Sequence, residues 1–154
     1  MEDDMSLKGR RPFSGTLKLA TGLFFMAILG YGCADINSDP QKTVENALRA
    51  AHEKNYDRVR QLIDFDGMVD IALQEQKPPK VLDSGQRKKL IDELVRSVCE
   101  ISREDLDKSL QSLRVEIDKK DPTLATALYD STKRPGVTLT LEKRKKGWII
   151  TEVN

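Results

Sequence analysis

Few side chains in this chain have the type and spacing needed for chemistry. The one histidine, His52, stands between Ala51 and Glu53. A single imidazole cannot build a histidine metal cluster, and no local signature joins it to a serine or cysteine nucleophile. It reads as a solvated helix residue. Asp64, Asp66 and Asp70 cluster near Glu75, a set that paired-acid chemistry or a cation could use. The spacing lacks the glycine and closing glutamate of a calcium loop. Asp is a favoured helix cap, so the cluster reads as caps of short helices. Lys143-Arg144-Lys145-Lys146 could meet an anionic headgroup. Alternating side chains on a hairpin tip cannot all face one partner, so the run reads as a solvated turn. Arg87-Lys88-Lys89 reads as the exposed face of a helix. Cys99 falls in an apolar stripe with no His or second Cys nearby in sequence, and reads as a small core residue. No catalytic residue, metal ligand or cofactor signature emerges, and the chain is expected not to be an enzyme.

The elements around these residues follow from patterning. The chain has 154 residues, enough for one domain and an appendage. Lys and Arg total 26 against 25 Asp and Glu, which excludes a dedicated nucleic-acid surface. Asp39-Pro40 opens a helix, Asp as cap and Pro in the first turn. Val44, Ala47, Leu48 and Ala51 give that helix one apolar face, and Asn55 is its stop. Asp57 caps a short helix with Val59, Leu62 and Ile63. Asp66-Gly67 marks a turn, and Met68, Val69, Ala72 and Leu73 form a third helix that ends at Lys77-Pro78-Pro79-Lys80. Asp83 or Ser84 caps the longest helix, whose stripe is Leu90, Ile91, Leu94, Val95, Val98 and Cys99. Ser102 to Asp105 resembles a capping box that leads into a helical piece with Leu106 and Leu110.

The period then changes from helix to strand. Leu113, Val115 and Ile117 alternate with polar residues. Thr123 to Tyr129 is rich in strand formers. Val137, Leu139 and Leu141 alternate with Thr138, Thr140 and Glu142, and Trp148 to Val153 is the last strand. Short turns at Lys120-Asp121-Pro122, Arg134-Pro135-Gly136 and Lys145-Lys146-Gly147 make an antiparallel meander. The fold class is therefore α+β, with N-terminal helices packed on a curved, cone-like, four-stranded antiparallel meander. The long-helix stripe and the inward strand residues, Val115, Ile117, Val137, Leu139 and Leu141, are expected to share one core. Glu116, Glu142 and Glu152 fall at outward positions, so the inward strand faces carry no charge.

The N-terminus has a targeting layout. Lys8, Arg10, Arg11 and Lys18 precede the eleven-residue apolar run Leu19–Leu29, which is short for a bilayer span. Leu29-Gly30-Tyr31-Gly32-Cys33 resembles a bacterial lipobox, although the family prefers Leu where Gly30 stands. That resemblance implies that Cys33 is the acylated mature N-terminus. Signal-peptidase cleavage after Ala34, with Gly32 and Ala34 as the small pair, and an uncleaved anchor stay open. The expected organisation is a lipoprotein signal peptide over 1–32, a tether over 33–38 and the α+β domain over 39–154. All three readings carry the domain out of the bacterial cytoplasm, and the lipoprotein reading places it on the envelope, facing the periplasm. Ala34 does not resemble an inner-membrane retention residue, which points to the outer membrane.

The helices-then-meander order, closing on Lys146-Gly147-Trp148-Ile149-Ile150, resembles the nuclear-transport-factor-two-like cone fold. Asp39-Pro40-Gln41-Lys42-Thr43-Val44 and Asn55-Tyr56-Asp57 resemble the openings of lipoproteins with that fold. Leu62-Ile63-Asp64-Phe65-Asp66-Gly67-Met68, Ser84-Gly85-Gln86-Arg87-Lys88-Lys89-Leu90 and Gly147-Trp148 are similar to the toluene-tolerance family of periplasmic phospholipid shuttles. This chain lacks that family's Trp after the segment matching Asp64-Phe65-Asp66, and a tether at Cys33 argues against free diffusion. These resemblances imply a lipid or other apolar ligand in a cone-shaped pocket, walled by Trp148, Leu94, Val98 and Leu139. The expected partners are the membrane, through the N-terminal lipid, a lipid ligand and an envelope protein. A module with a filled core that binds a protein partner is the alternative. An isomerase- or dehydratase-type enzyme, which the same fold also hosts, would need a buried acid or base in the cone.

Overall fold

A computed structural model describes residues 37–154 apart from Pro79. The signal-peptide expectation over 1–32 and Cys33 lie outside the described residues. Among the described residues, five helices precede four strands: α1 (Pro40–His52), α2 (Tyr56–Leu62), α3 (Phe65–Gln74), α4 (Ser84–Val98), α5 (Arg103–Ser112), β1 (Arg114–Ile117), β2 (Leu124–Tyr129), β3 (Val137–Arg144) and β4 (Gly147–Val153). The strands form one antiparallel sheet in the order β1-β2-β3-β4, and the helices pack against it. The α+β meander is therefore the architecture of the chain.

Local chemistry explains where each helix starts. The Asp39 carboxylate accepts the Lys42 N–H at 3.0 Å, and Pro40 follows in the first turn. α1 ends at His52 because Lys54 adopts a left-handed conformation, φ 56°. That frees Asn55 to cap α2 by accepting the Arg58 N–H, so Asn55 starts the second helix and Asp57 lies in its first turn. Asp64 likewise caps α3, and Asp66-Gly67 is the start of a helix where a turn was expected. A Cβ on Gly67 would come 2.8 Å from the Asp64 carboxylate, which is why glycine suits that position. Asp83 and Gln86 form a reciprocal capping box on α4.

The inner face of the sheet carries Ala125 and Ala127 on β2, Val137, Leu139 and Leu141 on β3, and Trp148 and Ile150 on β4, all buried. Register puts Ala127 beside Leu139 and Ala125 beside Leu141. α1 lies over β1, β2 and β4; α2 and α3 reach β4, and α5 reaches β2. A register shift between Thr140 and Leu141 leaves Thr151 as the extra residue of β4. The free side of β4 is also bonded: the Trp148 N–H donates to the Asn37 carbonyl, and the Asp64 N–H donates to the Ile150 carbonyl, each at 2.8 Å.

Two expectations about the core are corrected. α4 packs on α2 and α3 and joins the core as an outer layer. Only Ile91, Val95 and Cys99 of its stripe are fully buried, while Leu94 is 36 % exposed. The reason is width: two helices cover a narrow stripe, and the Leu90–Leu94 margin overhangs it. Ile117 is 49 % exposed, because it ends the short edge strand β1.

Candidate functional site

A cavity of about 350 Å³ lies between α1, the α4–α5 turn, α5 and one end of the sheet. Val44, Ala47, Leu48 and Ala51 come from α1, the same i, i+3, i+4, i+7 face that the sequence shows. Val137, Leu139, Ile150 and Val153 face them from the sheet, with Ile63 and Val98 closing the sides. The polar groups come from helices and loops: Ser97 and Glu100 at the end of α4, Asp105 and Ser109 on α5, Tyr129 at the end of β2, and Ser131 and Lys133 in the following loop.

Asp105 is the buried charge of this region. Its carboxylate accepts the Thr132 N–H at 2.8 Å, the Thr132 hydroxyl and, at 2.9 Å, the Ser102 hydroxyl. These donors hold its pKa down at about 2, the Thr132 hydroxyl contributing most. The Ser102 hydroxyl oxygen also accepts the Asp105 N–H, so one short cap both starts α5 and orients the acid. The loop from Asp130 to Gly136 is tied down at three further points. The Asp130 N–H donates to the Ser112 hydroxyl, the Lys108 ammonium to the Ser131 carbonyl, and the Gly136 N–H to the Asp130 carboxylate. Burial pushes the Tyr129 phenol above its ordinary pKa, which keeps it neutral.

His52 also belongs to this end. Its Nδ1 lies 3.1 Å from the Ile101 carbonyl, which can only accept, so Nδ1 carries the proton. It is a half-buried tie between α1 and the α4–α5 turn, which corrects the solvated reading.

Of the four residues expected to wall a pocket, Val98 and Leu139 line this cavity. Leu94 and Trp148 do not. Leu94 sits on the overhanging margin of α4, and Trp148 lines a separate groove at the other end of the sheet. Asp105 and Ser109 were missed because Ser102-x-x-Asp105 satisfies the sequence as a cap. Their spacing with Leu106 held the signal: positions 105, 106 and 109 share one helix face, and all three are buried.

The three aspartates of the acidic cluster are ion-paired within the fold. Arg87 binds the Asp66 carboxylate at 3.2 Å, the Asp66 carbonyl at 2.9 Å and the Asp70 carboxylate. Its hydrogen bond pulls the Asp70 pKa below the ordinary value. Arg87 is thus a tie from α4 to α3, where an exposed helix face was expected. No group of three or more potential metal ligands occurs among the described residues. Burial raises the Cys99 thiol pKa, as expected of a core thiol.

At the opposite end, the β3–β4 hairpin borders a groove with Asn37 and Gln61. Gly147 has φ +112°, and a Cβ there would stand 2.6 Å from the Asn37 carbonyl oxygen. Arg144 pairs with Asp64 at 2.8 Å and Glu142 at 3.1 Å. Among the described residues, Lys143, Lys145 and Lys146 have no ion pair.

No protein-family model, curated protein or solved structure matches this chain.

Proposed function

We propose that this chain is a non-catalytic cell-envelope lipoprotein, anchored through acylated Cys33 and facing the periplasm, that holds a small apolar ligand. The outer membrane is the proposed site of the anchor. The observation that carries the ligand reading is the cavity between α1 and the sheet, with its apolar floor and polar rim. Its volume, about 350 Å³, falls within the usual range of ligand pockets, roughly 300–1,000 Å³.

The non-catalytic part rests on Asp105. A general acid or base works best with a pKa near the operating pH. This carboxylate stays ionised and spends its lone pairs on Thr132 and Ser102, so its work is structural. The likeness to cone-fold lipoproteins belongs to the same proposal, with lipid as the ligand class that it suggests.

Native mass spectrometry of the mature protein, released from a bacterial envelope in mild detergent, tests the reading. The expected result is an adduct that organic extraction removes and that Val98→Trp, a substitution filling the cavity, abolishes. A wild-type protein of bare mass overturns the ligand reading in favour of a protein-interaction module.

A further inference from the structure

The domain has two ends, and the chain leaves from one of them. Asn37, at the start of the described residues, is fixed on the β3–β4 hairpin by the Trp148 N–H at 2.8 Å. Gly147 lets the backbones approach, since any side chain there would strike the Asn37 carbonyl. Asn37 is only four residue steps from Cys33, and that length of chain spans at most about 14 Å fully extended. An acyl anchor on Cys33 therefore holds the hairpin close to the bilayer. The hairpin carries Lys143, Lys145 and Lys146 without an ion pair among the described residues. All three are exposed around the tip, and the field of an anionic leaflet attracts them without their facing a single partner, provided that they lie within a Debye length of it, about 8–10 Å.

The cavity rim lies at the other end of the same strands. β3 runs from Val137 at the cavity to Arg144 at the hairpin, a rise of about 24 Å. Glu100 and Lys133, exposed at the rim, are thus far from the point where the tether begins.

We infer that the lysine hairpin is a membrane-contact surface for anionic phospholipid headgroups and that it turns the cavity mouth away from the membrane that anchors the protein. This rests on the anchored reading of Cys33. The ligand then enters and leaves on the aqueous side, so the protein serves something facing it across the periplasm and does not draw molecules from its own leaflet.

The test uses the full mature lipoprotein in vesicles of phosphatidylethanolamine and phosphatidylglycerol doped with a headgroup-bound paramagnetic quencher. A fluorophore is placed on Gln61→Cys, beside the hairpin, or on Lys133→Cys, at the rim; Cys99 is 2 % exposed and does not compete for label. The expected result is clearly stronger quenching at position 61 than at position 133, because a quencher fixed on the headgroups acts only at short range. The difference should shrink in Lys143→Ala/Lys145→Ala/Lys146→Ala and in purely zwitterionic vesicles. Equal quenching at both positions overturns the orientation, and an unchanged difference in the triple variant overturns the lysine contact; either result leaves the anchor intact. Failure of the unsubstituted protein to float with vesicles overturns the anchor reading, and the orientation with it.

Discussion

At the hairpin end of the sheet, Trp148 is buried beside a groove, and Arg144 pairs with Asp64. At the loop end, Leu139 and Ile150 face a void, and the polar groups are pulled to the rim by Asp105 and its donors. The same helices and strands build both ends. The difference lies in side-chain volume and in where charge is placed. A buried aromatic occupies the core at one end, whereas α1 alanines and a buried carboxylate bound to a loop border the cavity at the other.

Truncation is the strongest way to break that contrast. Trp148→Ala should cost about 3–5 kcal/mol, because close-packed neighbours cannot refill the space. Leu139→Ala should lie near the low end of its range, about 2 kcal/mol, since one side of Leu139 already borders the cavity. Urea unfolding measures both, and equal losses would mean that the two ends are packed alike.

Acid sharpens the contrast next. The folded-state pKa of Asp105 is about 2, below an unfolded value of roughly 3.9. Its stabilisation is therefore complete above roughly pH 4 and is lost as pH falls through about 2. Asp105→Asn should be less stable at neutral pH and should lose less over that acid window. Parallel slopes for the two proteins, from urea midpoints at a series of pH values, would remove Asp105 from the rim's support.

The smallest effect concerns α4. Leu94→Ala should change stability by less than about 1 kcal/mol, while Ile91→Ala, three residues away and buried, should cost about 2 kcal/mol or more. A larger loss at Leu94 would place α4 deeper than it lies here.

The strands and caps were legible in the sequence because they are local. Alternation over Val137–Leu141 and the Asp39-Pro40 and Asp83 caps depend on neighbours a few residues away. The width of the α4 stripe was not legible, because how much of it is covered depends on α2 and α3. Asp105 was hidden for a related reason. Ser102 accounts for its position locally, and Thr132, which gives it its role, stands 27 residues further on. The cavity itself follows from small side chains, Ala47 and Ala51, meeting a strand face that only the tertiary fold supplies. Chemistry at the rim thus depends on contacts between α5 and a loop far along the chain, which periodicity does not report.

The backbone bonds on the free side of β4 have a consequence for crowding. A sheet of this kind offers two borders where another chain could add a strand. Asn37 and Asp64 occupy the β4 border at alternate residues, Trp148 and Ile150, with backbone groups of the same chain. The β1 border is four residues long and carries Arg114 and Glu116. Here backbone bonds occupy part of the long border and the short one is charged, which leaves less free edge for another copy to pair with.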